Sequence, residues 1–397
     1  MSVRKPNPLS LALFWLGIQA VWGALLGISL QSRTIELASG DTLLAYGRLA
    51  TIGALVAAVT QVLVGFYSDA RRREGSRRVE FYVVGAAAGA VGIALFYNVK
   101  SFGALVASYV LLQAALNLAI GPYQAIIPDF VERARTGIAS SWMAALQSAG
   151  NAVGALAASF ITGARELTAA LDVLLLGTCF VTCAHVRRLP LIAQPQEQGR
   201  PRITRAFVDL FISRALIYIG FYTLLGYLLF YVNAVLAPPT LASARMETGI
   251  IIVGFTLVGA AGAALAARPS DRLDRRVVAT AGTGAFIAAL AIFIASTGIA
   301  GIGAATVVAG LGWGAFLVAD WAIACRLLPS GAMAAAMGIW NLAIVVPQIL
   351  APALTTAVLA ALRLGAGHSA SRVAFALALV ETLVGAAWLW RLPKLRN

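Results

Sequence analysis

Long apolar runs, separated by short clusters of charged residues, dominate this sequence. A helix rises about 1.5 Å per residue, so about 20 apolar residues cross the hydrocarbon core of a bilayer. Backbone polar groups find no water there, and each run is therefore expected to be a helix. The runs predict twelve transmembrane spans near residues 9–30, 44–67, 79–98, 102–124, 137–162, 168–186, 207–234, 246–267, 277–296, 300–325, 333–361 and 370–390.

The distribution of lysine and arginine predicts how the chain is oriented. A net charge of +14 would suit a nucleic-acid-binding protein, but its placement along the chain argues against that class. With the N-terminus inside, the inner segments hold 22 of the 30 basic residues and the outer segments hold 6. This bias follows the positive-inside rule. It predicts a multi-pass protein of the cytoplasmic (inner) membrane with both termini cytoplasmic and no nucleic-acid partner.

A weak internal repeat divides the chain into two halves. The longest polar interval, residues 187–206, falls between spans six and seven and is interpreted as a cytoplasmic linker. The predicted fold is an all-α membrane protein whose twelve transmembrane helices form two pseudo-symmetric six-helix bundles, residues 1–186 and 207–397. At an offset of 202, Ser68-Asp69 recurs as Ser270-Asp271. At an offset of 201, Pro128 recurs as Pro329, Gly137-Ile138 as Gly338-Ile339, and Gln147 as Gln348.

Charged clusters follow spans two and eight, and an aspartate opens each cluster. Halves that rock against each other need charged contacts that form in one conformation and break in the other. The alternative is that the arginines only set the topology, which leaves the two matching aspartates unexplained. The candidate gating residues are Asp69, Arg73, Arg77 and Arg78 after span two, and Asp271, Arg272 and Arg275 after span eight.

Three segments resemble the major facilitator superfamily. The cluster after span two, with Gly65, Asp69, Gly75, Arg77 and Arg78, resembles its loop signature Gly-x-x-x-Asp followed by basic residues. Residues 121–129 (Gly-Pro-Tyr-Gln-Ala-Ile-Ile-Pro-Asp) look like the end of span four in sucrose transporters and related glycoside and disaccharide symporters. Residues 338–348 (Gly-Ile-Trp-Asn-Leu-Ala-Ile-Val-Val-Pro-Gln) look like span eleven of those proteins. The resemblance implies a transporter that works by alternating access.

The same resemblance has two departures. Gln113 occupies the position of the span-four carboxylate of plant-type sucrose symporters, and Gln124 occupies the position of an arginine. Sodium coupling, coupling through another acid, and facilitated transport therefore all stay open. The drug-antiporter signature Gly-Pro-x-x-Gly is replaced in span five by Gly-Asn-Ala-Val-Gly at residues 150–154, which argues against drug efflux.

Amides outnumber carboxylates inside the predicted spans, which suits a neutral solute with many hydroxyl groups. Amides spaced by four or seven residues share a helix face, and an aromatic ring offers a surface for the apolar face of a sugar. The alternative is that the amides only bond neighbouring helices, worth about 0.6 kcal/mol each. The candidate substrate-binding residues are Gln19, Trp22, Gln113, Asn117, Gln147, Asn151, Asn341 and Gln348.

Only two carboxylates lie well inside the predicted spans, Asp320 in span ten and Glu381 in span twelve. A charge at the bilayer centre costs about 2.5–3.5 kcal/mol on insertion scales, so such a residue should face a cavity or a partner. Asp320 is predicted to be the acid that couples transport to protons or contacts the substrate, and Glu381 is assigned a packing or interfacial role. The alternative for Asp320 is a structural ion pair or a hydrogen bond to a neighbouring helix.

Catalytic chemistry has no basis in this sequence: neither a nucleophile–histidine–acid grouping nor a metal-ligand pattern is present. No enzyme activity, cofactor or metal is predicted. The expected partners are a small-molecule substrate, H⁺ or Na⁺, and the lipid bilayer, for a monomeric protein. The leading hypothesis is transport of a sugar or glycoside. The alternatives are a proton-linked exporter of a small metabolite or drug, and a non-transporting sensor or assembly factor on the same fold.

Overall fold

The structure, a computed structural model, describes residues 6–131, 136–191, 203–327, 333–365 and 367–394. In this part of the chain the regular structure is helical, with no β-strand. Twelve long helices follow one another, which confirms the predicted fold class. The first six are α1 Pro8–Leu37, α2 Thr42–Arg73, α3 Val79–Asn98, α4 Phe102–Tyr123, α5 Thr136–Phe160 and α6 Ala164–Val186. The other six are α7 Arg205–Leu236, α8 Leu241–Arg272, α9 Arg275–Ala295, α10 Ile299–Leu327, α11 Met333–Ala361 and α12 His368–Trp388.

Eleven of these helices, judged on the described residues, are long and apolar enough to cross a membrane. The twelfth, α5, is also long enough, since its 25 residues extend about 38 Å. Its sequence is rich in alanine, serine and glycine, and it includes Gln147 and Asn151. Helices that pack against other helices in a membrane commonly carry small and polar residues at the contact. The composition of α5 therefore fits a span that packs against protein.

Side chains that accept a hydrogen bond from the backbone begin several helices. Asn7 accepts from the amide of Leu9 at the start of α1, and the following proline suits the first helical position. Ser101 and Thr204 cap α4 and α7 in the same way. These caps explain why these helices begin close to the starts of the predicted apolar runs.

The chain divides into two compact units. Unit 1 comprises Met1–Gly40 and Leu49–Pro195, and unit 2 comprises Asp41–Arg48 and Gln196–Asn397. Of the predicted linker 187–206, residues 192–202 lie outside the described part of the chain.

The packing of helices within each unit follows one pattern. In unit 1, α1 packs against α5 and α6, and α3 packs against α4 and α6. In unit 2, α7 packs against α11 and α12, and α9 packs against α10 and α12. The second pattern is the first one shifted by six helices, as a duplicated six-helix unit would produce. The largest difference is that α8 packs closely on α10, whereas unit 1 has no comparable contact between α2 and α4.

Candidate functional site

A buried ion pair joins α7 to α10 in unit 2. The guanidinium of Arg214 donates to the carboxylate of Asp320, and these residues are 5% and 3% exposed. Arg214 lies nine residues into α7, about 14 Å from its start, and Asp320 lies seven residues before the end of α10, about 10 Å from it. Both charges are thus placed inside the spans, where each one needs the other. Asp320 has the partner that its position requires.

Aromatic rings surround the arginine of this pair. The guanidinium carbon of Arg214 lies 4.1 Å from the ring centroid of Trp340 and 4.9 Å from that of Tyr218. Cation–π contacts of this kind are worth about 2 kcal/mol or more when desolvated. Next to Tyr218, the rings of Phe221 and Trp313 stack at 4.2 Å and 9°. The ion pair therefore sits in a wall of aromatic side chains.

Gln348 of α11 adds a polar group to this wall. Its side-chain amide donates to the hydroxyl of Tyr222 at 2.8 Å, and both residues are half-buried. Arg214, Tyr218 and Tyr222 are spaced by four residues and so share one face of α7. The side chain of the other predicted residue of α11, Asn341, lies outside the described part of the chain.

In unit 1 the predicted amides of α4 lie together. Gln113 donates to the hydroxyl of Tyr109 at 2.7 Å, and Asn117 donates to the backbone oxygen of Gln113 at 2.9 Å. Gln113 and Asn117 are 5% and 6% exposed. Their shared helix face was predicted, but the bonds that they make run along α4 itself.

The remaining predicted substrate-binding residues belong to α1 and α5, which pack against each other. Gln19, Trp22 and Gln147 are half-buried, and the side chain of Asn151 is exposed. Glycines make this contact close: a Cβ on Gly154 would collide with a carbonyl oxygen of α1. Of the four, Gln19 lies directly at this contact, since a Cβ on Gly150 would meet its side chain.

The charged cluster after α2 forms a network in unit 1. Arg78 donates to Ser68 at 2.9 Å and contacts Asp69 at 2.9 Å and Asp129 at 3.0 Å. Asp129, in the short helix Ile126–Phe130, also accepts from Arg72 at 3.1 Å. Burial raises the pKa of Asp129 above its ordinary value, although Arg78 and Arg72 oppose this shift. Arg78 therefore links the end of α2 to the segment after α4.

Two other residues of that cluster make fewer contacts. Arg77 donates to the backbone oxygen of Leu189 at 3.2 Å, and Arg73 is exposed. Asp69 and Arg73 lie beyond the predicted end of span two, but α2 continues through Arg73. Basic residues stabilise the C-terminal end of a helix, which favours this extension.

The corresponding cluster of unit 2 is built differently. Arg276 pairs with Asp274 at 2.7 Å and donates to the backbone oxygen of Leu392 at 2.8 Å. Arg275 donates to the backbone oxygen of Ala322 at 3.2 Å. Arg272 is exposed at the end of α8, and the side chain of Asp271 lies outside the described residues.

A search of the described residues finds no group of three or more histidine, cysteine, aspartate or glutamate side chains that could hold a metal ion. Among the described residues, the polar groups that meet inside the spans are amides, hydroxyls, the pair of Arg214 and Asp320, and the carboxylate of Glu381 beside the hydroxyl of Thr223.

Comparison with known proteins decides the family. The sequence profile of the Major Facilitator Superfamily matches residues 9–236, more than half of the chain. The chain belongs to this superfamily. No curated protein matches it in sequence.

Solved structures of superfamily transporters share the fold. A bacterial homolog of the human lysosomal transporter Spinster, in an inward-facing and occupied conformation, superposes with a TM-score of 0.74 at 13% identity. That match covers 97% of this chain and 95% of the other. A mutant of the nucleoside transporter NupG gives a TM-score of 0.72 at 14% identity, covering 97% and 99% of the two chains. At these identities the likeness shows the fold alone.

Sequence reasoning about this superfamily member missed the partners of its charged residues. Arg214 lies within the predicted span 207–234, yet the sequence alone did not pair it with Asp320. The signal was available, since an arginine inside a span needs a counter-ion and few carboxylates lay within the spans. Asp129 and Arg276 carried no comparable signal, because charged residues between spans are common and a linear sequence does not show which of them meet.

Proposed function

We propose that this protein is a secondary active transporter that moves a small polar solute, a sugar or glycoside, across the cytoplasmic membrane together with a proton. Alternating access would arise from movement of its two six-helix halves, residues 1–186 and 207–397. Membership of the major facilitator superfamily supports transport. NupG, whose structure has the same fold, is named as a nucleoside transporter, and a nucleoside also contains a sugar ring.

The observation that carries the proposal is the ion pair of Arg214 and Asp320 inside the spans. A buried ion pair is poor evidence of a stability function, because well-packed apolar residues often stabilise a protein as well or better. Ionisable residues within transmembrane segments commonly mark substrate or proton pathways. Asp320 is therefore assigned as the acid that takes up and releases the coupling proton.

The groups around the pair suit a polar solute. Gln348 and Tyr222 offer an amide and a hydroxyl one helical turn beyond Tyr218, and the buried ring of Trp313 belongs to the apolar wall beside them. Small-molecule sites typically combine apolar and aromatic walls with a few placed polar groups. In unit 1, Gln113 and Asn117 are assigned as further solute contacts, together with Gln19, Trp22 and Gln147.

The experiment is transport by Asp320→Asn in proteoliposomes, with radiolabelled sucrose, maltose and methyl glucoside as probes. We expect the variant to lose accumulation driven by a pH gradient while retaining downhill counterflow, which also shows that it is folded. Glu381→Gln is the matched control, since Glu381 is a buried span carboxylate whose described contact is to the hydroxyl of Thr223. The direction of the gradient that drives accumulation separates uptake from export.

Unchanged driven accumulation by Asp320→Asn would contradict the assignment of the acid and would favour sodium coupling or facilitated transport. If the wild-type protein moved none of the three probes, the sugar part of the proposal would be wrong.

The proposed orientation places both termini in the cytoplasm, and the bias of basic residues supports it. Single cysteines at the exposed positions Ser39 and Glu74 test it. We expect an impermeant maleimide to label the cysteine at position 39 only from outside intact cells, and the cysteine at position 74 only after the membrane is opened. The reverse pattern would overturn the orientation.

A further inference from the structure

The pair of Arg214 and Asp320 leaves hydrogen-bond donors unused. Of the five N–H groups of a guanidinium, Nη1 of Arg214 serves Asp320, and Nη2 lies 3.5 Å from the hydroxyl of Tyr218. The Nε of Arg214 has no partner among the described residues, although it is buried. The indole Nε1 of Trp340, whose ring lies against the same guanidinium, has no described partner either.

Buried donors without partners are uncommon, and each costs about 1–3 kcal/mol. Here two of them belong to side chains in direct contact, and one of these side chains is positively charged. A group that satisfies these donors must accept several hydrogen bonds, and a negatively charged acceptor binds a guanidinium more strongly than a neutral one does. A carboxylate does both, since it has two oxygens and binds a guanidinium in a bidentate manner.

We infer that the solute is an organic acid whose carboxylate binds Arg214 and the Nε1 of Trp340, displacing Asp320. This inference rests on the proposed proton-coupled transport at this site, and it narrows the proposed sugar or glycoside to one that carries a carboxylate, a sugar acid. The rings of Tyr218 and Trp340 lie against the guanidinium, and its Nε is the donor that has no described partner for a carboxylate to replace. The rest of the solute would extend along the face of α7 toward Tyr222 and Gln348.

The charge balance of the site then fixes the coupling. Without solute, the positive charge of Arg214 and the negative charge of Asp320 cancel. A solute carboxylate adds one negative charge, and two carboxylates beside one arginine are unfavourable in a buried site. Uptake of one proton by Asp320 restores neutrality. One proton would therefore travel with each carboxylate, and the loaded site would have the same net charge as the empty one.

The groups that face Asp320 are few in the described part of the chain. Arg214 and Tyr218 approach it from α7. From α9, Arg275 donates to the backbone oxygen of Ala322, two residues further along α10. Each of these groups is a cation or a hydroxyl, so Asp320 itself is the carboxylate that a bound acid would meet.

The test measures ligand binding to the purified protein in nanodiscs, using the rise in its thermal unfolding temperature as the readout. The probes are three acids and their neutral amides: glucuronate and glucuronamide, lactate and lactamide, and benzoate and benzamide, with glucose as an additional neutral probe. We expect at least one acid to bind about 10- to 100-fold more tightly than its amide, because hydrogen bonds to charged groups are stronger than neutral ones.

Three variants make the test specific. Arg214→Gln should abolish the preference for the acid. Arg276→Gln should retain it, because Arg276 is also a buried arginine paired with an aspartate but lies at a helix end. Asp320→Asn should bind the acid at least as tightly as the wild type, and with less dependence on pH, because the competing carboxylate is gone.

Equal binding of each acid and its amide would overturn the inference, as would absence of binding by every acid, or a preference that survives in Arg214→Gln. Binding of glucose without any preference for acids would overturn it while leaving the proposed sugar transport intact. The two proposals therefore fail in different ways.

Discussion

The two units share a packing pattern, but they bury charge in different places. The charged residues of unit 1 that are buried in the described structure, Arg78 and Asp129, lie outside its spans. Unit 2 also buries a pair at a helix end, Asp274 and Arg276, and in addition places Arg214 and Asp320 within its spans. The scaffold has thus been kept while the polar groups inside it have diverged. This difference indicates that unit 2 carries the ionisable chemistry and unit 1 offers mainly amides.

The contact between the first and fifth helices of each unit differs in the same way. In unit 1, α5 meets α1 through Gly150 and Gly154, which allow the two backbones to touch. The positions 201 residues later, on α11, are Ala351 and Thr355, and the hydroxyl of Thr355 lies 3.3 Å from that of Thr223 on α7. The first and fifth helices are therefore joined by close backbone contact in unit 1, and by a side-chain hydrogen bond in unit 2.

The largest effect that we expect comes from breaking the ion pair of unit 2. Asp320→Asn leaves the buried charge of Arg214 without a counter-ion, and breaking a buried pair in this way costs about 3–5 kcal/mol. Chemical or thermal unfolding in detergent measures the loss.

The double variant Arg214→Gln, Asp320→Asn is the control for that measurement. It removes both charges, so it should recover a substantial part of the lost stability, and the cycle isolates the coupling between the two residues. A double variant less stable than Asp320→Asn alone would show that the pair is not the source of the effect.

The network of unit 1 should respond less strongly. Asp129→Asn weakens two charged contacts, but Arg78 retains Asp69 and Ser68 as partners. We expect a loss of about 1.5–3 kcal/mol, the range for hydrogen bonds to charged groups. Unfolding under the same conditions checks this value. A loss as large as that of Asp320→Asn would contradict the idea that unit 1 distributes its buried charge over several partners.

The glycine contact offers a third comparison. Gly154→Ala would press a methyl group into the backbone of α1, and overpacking of this kind costs about 2 kcal/mol. Gly177→Ala on α6 is the control, because its added methyl group would meet nothing within 4 Å. We expect a lower melting temperature for Gly154→Ala only. Equal melting temperatures for the two variants would mean that α1 and α5 can separate without cost.

Much of the fold could be predicted because hydrophobic length is a local property of the sequence. Eleven helices satisfy it directly, and the run 137–162 also predicted α5, although that helix is less apolar. Helix ends were less predictable, since α2 continues into the charged segment that ends at Arg73. Basic residues are compatible both with a loop and with the last turn of a helix.

The candidate site was predictable only in part, for a different reason. Helical spacing correctly placed Gln113 and Asn117 on one face, because that depends on neighbours in the sequence. The pairing of Arg214 with Asp320 joins residues 106 positions apart, and the aromatic surroundings of Arg214 come from α7 and α11. Such contacts depend on which helices pack together, which hydropathy and spacing do not specify.

The smallest effect that we expect distinguishes a solute contact from a contact that only joins helices. Gln348 donates to Tyr222 between α11 and α7, so its loss leaves a half-buried hydroxyl without that donor. Gln348→Ala should weaken solute binding by about 1 kcal/mol, or roughly fivefold, while leaving the melting temperature nearly unchanged. Gln147→Ala is the matched comparison, since Gln147 is its counterpart 201 residues earlier, is also half-buried and is a proposed solute contact of unit 1. We expect a smaller loss there, because the ionisable groups of the site lie in unit 2. Binding isotherms and counterflow with the best probe from the acid and sugar panels provide the comparison. If both variants bind the solute like the wild type, Gln348 only joins two helices. An equal loss of binding in both variants would place the solute against both amides and would remove the contrast between the units.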